Sequence, residues 1–279
     1  MTVDGLKLVA RLGYGARGLV YLVVGGLAVV AALGAGGRST GSRGALSFLE
    51  TTTYGAVILA AIALGLVCYS LWRGLQSLFD TDLHGTGVKG LTVRGGLLVS
   101  AFTHLLLAAY AASLTLGVGG GGSGSSSQDV TAWLMQQPFG RWLVLAFGIA
   151  VIGAGVSQAY KGVTRNYRKY IVLGEGAMRS LDPICLLGLV ARGAVFVLMG
   201  GFFAYAGLTI DPSQAGGVGA ALNWLQGQPY GRFLFAALAV GLFAFGLYSL
   251  IEAIWRRIDM ERATGRAPAA AAPAGGRLS

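Results

Sequence analysis

The sequence predicts an all-α integral membrane protein, with six transmembrane helices forming three tandem parallel two-helix repeats in a pseudo-threefold bundle. Three observations carry that expectation. Hydrophobic residues make up 54% of the 279-residue chain and charged residues 11%, against roughly a quarter charged in soluble domains. The charges leave six uncharged windows: Arg17 to Arg38, Glu50 to Arg73, Arg94 to Asp129, Arg141 to Lys161, Arg192 to Asp211 and Arg232 to Glu252. A short aromatic-glycine motif recurs three times, once in each pair of windows.

Each window approaches or exceeds the roughly 18–20 residues that cross a hydrocarbon core about 30 Å thick. A single segment can cross only as a helix, because every backbone polar group must be satisfied within it. The windows place helices near 12–34, 54–79, 94–117, 139–163, 184–208 and 230–256. The first apolar run is full length and lacks a small-residue cleavage site, so it reads as a retained helix and not a removed signal peptide. The abundant glycine, 47 residues, suits membrane helices, which tolerate it better than soluble ones do.

Orientation follows from lysine and arginine. Of 21 such residues, 17 fall with the N-terminus, the loops near 80–93 and 161–183, and the C-terminal tail; Arg38, Arg43, Arg141 and Arg232 fall on the other side. Positive charge is retained in the cytoplasm, so both termini are expected there. The net charge of +10 then reflects topology and attraction of the cytoplasmic face to anionic lipid. It does not indicate nucleic-acid binding, since no aromatic-interleaved basic fold accompanies it. Residues 259–279, rich in alanine, proline, glycine and arginine, read as a disordered cytoplasmic tail. The glycine-serine tract near 117–127 reads as a flexible outer loop.

The repeats span 10–82, 90–170 and 183–258. Ahead of each second helix stand SFLETTTYGA (47–56), AWLMQQPFGR (132–141) and NWLQGQPYGR (223–232), which align without gaps. Tyr54-Gly55, Pro138-Phe139-Gly140-Arg141 and Pro229-Tyr230-Gly231-Arg232 are the equivalent cores of the motif. Proline at these positions suits the first turn of a helix, and the aromatic-leucine pair before it suits a short amphipathic helix at the outer interface. The first helices repeat as well. Gly18, Gly25 and Gly26 recur as Gly193, Gly200 and Gly201, and the middle copy has Ala101, Ala108 and Ala109. Small residues at such intervals allow close approach of membrane helices, so all six glycines are expected at packing contacts.

Polar residues fall at equivalent repeat positions. Arg17, Ser100 and Arg192 form one set, Tyr21, His104 and Phe196 a second, and Gln76, Lys161 and Glu252 a third. Two readings stay open for each. The arginines can snorkel to headgroups, His104 can be a hydrogen-bonded packing residue, and Lys161 and Glu252 can be interfacial anchors, with Glu252 pairing with Arg256 one turn on. Alternatively these groups face a polar interior, where intramembrane charge marks function, and Lys161 and Glu252 oppose one another there. Cys68 and Cys185 match no metal or redox spacing. No HExxH, CxxC or GxSxG motif occurs, so neither a metal, a cofactor nor an enzymatic activity is expected.

The three-repeat pattern, with Gln137 to Arg141 and Gln228 to Arg232 opening the later second helices and Gly-Leu-Tyr-Ser-Leu at 246–250, resembles the bacterial domain-of-unknown-function 1206 family over residues 10–258. The first copy departs from it, with Thr53 for proline and Ala56 for arginine. The resemblance implies a bacterial plasma-membrane protein and no particular activity. The expected function is that of a structural, accessory or lipid-interacting membrane protein in contact with anionic lipids. The alternative is passage or binding of a small molecule, ion or lipid through the pseudo-threefold interior. Protein partners are not readable from the sequence.

Overall fold

The computed structural model describes residues 3–34, 40–82, 84–118 and 126–258. The expected disordered tail, Arg38 and most of the glycine-serine tract lie outside them. Nine α-helices follow in order among the described residues: α1 (Val3–Ala32), α2 (Ser42–Glu50), α3 (Gly55–Phe79), α4 (Val88–Thr115), α5 (Ser126–Met135), α6 (Gly140–Val163), α7 (Glu175–Thr209), α8 (Val218–Gln226) and α9 (Gly231–Trp255). Six of them, α1, α3, α4, α6, α7 and α9, are long and apolar enough to cross a membrane. The first helix of each unit starts before its apolar window, at residues 3, 88 and 175. Hydropathy marks only the part that suits lipid, whereas the helix continues into charged turns and, in α7, past Pro183, which lacks the N–H for one helical hydrogen bond.

The short helices α2, α5 and α8 lead into the three aromatic-glycine turns. Two bury equivalent residues, Ala45, Leu46 and Leu49 in α2 and Ala221, Leu222 and Leu225 in α8. The chain then turns sharply. Gly55, Gly140 and Gly231 donate their N–H to the carbonyls of Thr52, Gln137 and Gln228 at 2.9, 2.9 and 2.7 Å. A Cβ on any of the three would collide with the carbonyl of Leu49, Leu134 or Leu225, which is why glycine stands at all three positions. Phe139 and Tyr230 adopt φ of +61° and +59°, giving a type II turn with proline at its second position. Tyr54, preceded by Thr53, has φ −107° and ψ 19°, the type I form. Pro138 and Pro229 thus belong to the turn and not to the first helical turn as the sequence suggested. Closing a turn onto the glycine N–H delays helix entry by two residues.

Each second membrane helix packs on the first helix of the next unit: α3 on α4, α6 on α7, and α9 back on α1. Small residues make these contacts. A Cβ on Gly25 or Gly200 would strike the backbone of Phe243 on α9 or, at 2.6 Å, the carbonyl of Gly148 on α6. On Gly18 or Gly193 it would fall within 2.8 Å of the Leu250 side chain or 2.6 Å of the Gly155 carbonyl. Gly26 and Gly201 instead face open space, contrary to expectation. Neighbouring helical residues point about 100° apart, so only one glycine of each pair can meet the partner helix. Gly25→Leu should therefore lower stability by about 1–3 kcal/mol through overpacking, while Gly26→Leu leaves it nearly unchanged. Thermal midpoints of the two variants in one detergent check this.

Units one and three also close internally, α1 on α3 and α7 on α9, but α4 and α6 of unit two do not pack on one another. In this respect unit two differs from units one and three. Equivalent glycines record the difference. A Cβ on Gly13 would lie 2.5 Å from the Tyr69 Cα, and one on Gly188 would lie 2.7 Å from the Phe245 Cα. Their counterpart Gly96 meets nothing. Ala154, at the repeat position of Tyr69 and Phe245, is exposed. It offers too little side chain to fill the interval.

Candidate functional site

Where α1, α3 and α9 converge, the bundle holds a buried ionic network. Arg17 of α1 is 3% exposed and Glu252 of α9 is 2% exposed. The Arg17 guanidinium divides its donors between α3 and α9. Its Nη2 donates to Glu252 Oε2 at 2.6 Å, its Nε to Ser249 Oγ at 3.1 Å and its Nη1 to the Tyr69 hydroxyl at 2.6 Å. The rings of Tyr14, Tyr69 and Phe245 surround it with centroids 5.0–5.1 Å away. A guanidinium can sit among aromatic faces here because the ring quadrupoles attract it. This overturns the snorkelling reading of Arg17.

The network continues toward the membrane face that carries both ends of the described chain. Glu252 Oε1 pairs with Arg256 Nη1, and Arg256 Nη2 reaches Asp82 Oδ2 at 3.2 Å. Asp82 also accepts from Gln76 Nε2 at 2.9 Å, and Gln76 Oε1 accepts from Arg73 Nη1 at 3.1 Å. Arg73 Nε donates to Tyr69 at 2.7 Å, which closes the circuit on the phenol that Arg17 uses. Gln76 and Glu252 thus join one network. Lys161, their repeat counterpart, makes no ion pair with Glu252 among the described residues, so the expected opposition of Lys161 and Glu252 is replaced by Arg17 and Arg256. An arginine offers five N–H donors in a planar fork and bridges several acceptors where a lysine could not.

Sequence reading missed Tyr14, Tyr69, Arg73, Asp82 and Ser249. A signal was present. Tyr69, Arg73 and Gln76 on α3, and Ser249, Glu252 and Arg256 at the end of α9, recur at three- and four-residue intervals, so each set lines one helix face.

A second anchor fixes the loop after α6. Asp182 of α7 accepts from Tyr167 Oη at 2.8 Å and Arg168 Nε at 3.0 Å, and Arg168 Nη2 meets its other oxygen. Burial first, and then the hydrogen bond to Asp182, pushes the Tyr167 phenol well above its ordinary range, so it remains a donor. Val172 N–H donates to the Trp255 carbonyl at 2.8 Å and Arg257 N–H to the Tyr170 carbonyl at 2.7 Å, which ties this loop to the end of α9. In the first loop the Asp80 carboxylate accepts the N–H groups of His84 and Gly85, each at 2.7 Å. Partial burial opposes its ionisation, but those two N–H bonds hold it below the usual carboxylate range.

The remaining sequence candidates make no hydrogen bond to the network among the described residues, though two of them pack on its aromatic rings. The Nδ1 of His104 is 2.7 Å from the Ser100 carbonyl, and its ring stands edge-on to Tyr69 at 4.6 Å. Arg192 Nε donates to the Tyr21 hydroxyl at 3.1 Å, and its guanidinium lies 4.2 Å from the Phe196 centroid and 4.7 Å from that of Phe245. Lys161 Nζ lies 4.8 Å over Tyr170. Both cations are half-buried, and neither has a carboxylate within 4.0 Å among the described residues. At the far face, Arg141 stacks on Trp142 and Arg232 is exposed, while Tyr54, Phe139 and Tyr230 are each more than 70% exposed. These motif residues suit an aromatic belt and touch no part of the network.

A groove of about 770 Å3 runs between α3 and α4, lined by Leu71, Leu75, Phe102 and Leu105 with Leu6 and Val9 from α1. No group of three or more metal-ligating side chains occurs among the described residues.

Six apolar helices in three units, clamped by an internal ionic network, define a multi-pass membrane protein. The chain belongs to the family described as Domain of Unknown Function (DUF1206), which it matches over residues 12–80, 95–165 and 187–256. It is 34% identical over 267 residues to the uncharacterized protein YxxB of Bacillus subtilis (strain 168), covering 94% of this chain and 95% of that protein. No solved structure matches it.

Proposed function

We propose that this chain is a non-enzymatic accessory protein of the bacterial plasma membrane that interacts with anionic lipid, built on a pseudo-threefold plan with both termini in the cytoplasm. The observation that carries this reading is the Arg17–Glu252–Arg256 network. Its charges pair with one another within the chain, although Arg256 Nε is left without a partner, and it fills the junction of α1, α3 and α9, where a conduit between units one and three would have to pass. The 17-to-4 distribution of lysine and arginine supports the orientation and a cytoplasmic face attractive to anionic headgroups. The α3–α4 groove supports acyl-chain contact.

Passage through the interior is the second reading, favoured by the separation of α4 from α6. Proteoliposomes decide between the two. Expected are ion and small-solute fluxes no greater than those of empty vesicles; flux that rises with the amount of protein would sink the accessory reading. Orientation is checked in cells with an impermeant thiol reagent, against a background in which Cys68 and Cys185 are buried. Gln214→Cys should label from outside and Asn166→Cys should not.

A further inference from the structure

Three cations converge on one aromatic ring where the loop after α6 meets the end of α9. Lys161 Nζ and Lys169 Nζ lie over the Tyr170 ring, 4.8 and 4.9 Å from its centroid, and the Arg256 guanidinium lies 4.9 Å from it. A ring offers two faces, so at least two of the three cations share one. The backbone pins this arrangement. Arg257 N–H donates to the Tyr170 carbonyl at 2.7 Å and Val172 N–H to the Trp255 carbonyl at 2.8 Å, and Ile171 forms an antiparallel bridge with Arg256. Tyr170 is thereby fixed to the end of α9, beside the last turn of α6, which carries Lys161.

The chain does not neutralise the two ammonium groups. Both oxygens of Glu252 are taken by Arg17 and Arg256, and neither lysine has a carboxylate within 4.0 Å among the described residues. Arg256 turns its two Nη groups to Glu252 and Asp82 and keeps a buried Nε without a partner. The Tyr170 hydroxyl makes no hydrogen bond among the described residues. A ring face attracts a cation but supplies no countercharge, and like charges gathered at the edge of a low-dielectric layer are costly unless an anion joins them. The cluster stands where the apolar spans Gly140–Val163 and Gly231–Trp255 end, the level of phospholipid headgroups. Exposed apolar residues border it: Tyr160 and Val163 on α6, Val172 in the loop and Ile254 on α9. A free anion has no use for that border, whereas a lipid does.

We propose that Lys161, Lys169 and Tyr170 form a seat for the phosphate of an anionic phospholipid, its chains lying on the exposed apolar residues beside them. The lysines supply rotatable N–H donors on flexible stems, and the Tyr170 hydroxyl supplies a further donor. The ring holds both ammonium groups near one place before a ligand arrives, which reduces the ordering cost of binding. The seat rests on the lipid-interacting reading above and deepens it by naming where and through which groups lipid binds.

The test is thermal unfolding of the full chain in a neutral detergent at constant ionic strength. Phosphatidylglycerol at about a hundredfold excess over its Kd should raise Tm by roughly 5 °C, and phosphatidylcholine should give no shift. Inorganic phosphate should also give none, and a full shift with it would overturn the lipid source. Lys169→Gln should lose at least half of the phosphatidylglycerol shift, and Lys161→Met/Lys169→Gln should lose it altogether. Arg11→Gln, which removes a cation of α1 outside the seat, should keep it in full. Lys169 and Arg11 are both exposed, so this comparison decides the matter even if Lys161→Met fails to fold. Equal losses in Lys169→Gln and Arg11→Gln would mean diffuse attraction to a basic face and would overturn the seat, as would a full shift in Lys169→Gln. No shift in the unaltered chain would sink the lipid-interacting reading itself, so the two failures are distinguishable.

Discussion

Glu252→Gln is expected to destabilise the protein by about 3–5 kcal/mol, because it removes the carboxylate and leaves Arg17 and Arg256 charged in a buried site. At roughly 2 °C per kcal/mol for a chain of this size, the thermal midpoint should fall by roughly 6–10 °C. The amide keeps the volume of the side chain, so the loss reports charge and not a cavity. The size of the effect does not mean that the pair contributes that much to stability. Desolvating two ions offsets most of their attraction, and what breaking the pair costs is mainly the stranded partner. Removing both charges in Arg17→Met/Glu252→Met should therefore recover part of the loss, a coupling that a double-mutant cycle measures. Lys161→Met should rescue Glu252→Gln less than Arg17→Met does, since the guanidinium of Arg17, and not the ammonium of Lys161, is bonded to the carboxylate. Equal rescue by Lys161→Met and Arg17→Met would refute that assignment.

The second large effect separates three glycines that the repeat makes equivalent. Gly188→Leu and Gly13→Leu should each cost about 1–3 kcal/mol or more, because the added carbons would meet the backbone of Phe245 and Tyr69, which cannot yield as a side-chain tip can. Gly96→Leu, at the same repeat position in α4, should cost almost nothing, since that face is open. Folded yield and thermal midpoint of the three variants in one membrane preparation would show the contrast. Equal losses at all three would mean that α4 and α6 close on one another in the membrane as the helices of the other units do.

Much of this architecture is written locally in the chain. An uncharged run long enough to cross hydrocarbon has to be helical, whatever surrounds it, because its backbone finds no other hydrogen-bond partners. That is why the six membrane helices appear where the apolar windows fall. The turn before each second helix is equally local, since Gly55, Gly140 and Gly231 avoid carbonyls only six residues away. Alignment of the three repeats likewise singles out Arg17, Lys161, Arg192 and Glu252 as charges at matching positions within apolar helices.

Which of those charges meet was beyond the sequence. Arg17 and Glu252 are 235 residues apart and touch only because α9 returns to α1, and Asp82 reaches Arg256 across 174 residues. Equivalence by repeat says which residues occupy like positions, not which helix fills the space in front of them. Gly25 and Gly26 are the same residue type one step apart, yet one abuts α9 and the other open space. The opening of unit two was hidden for the same reason: small residues such as Gly96 and Ala154 permit a close helix contact without compelling one. In lipid no hydrophobic force drives two apolar helices together, so closure depends on the shape and hydrogen bonding of the particular facing pair. Local composition determined the helices; the tertiary structure alone decided which of their polar groups meet.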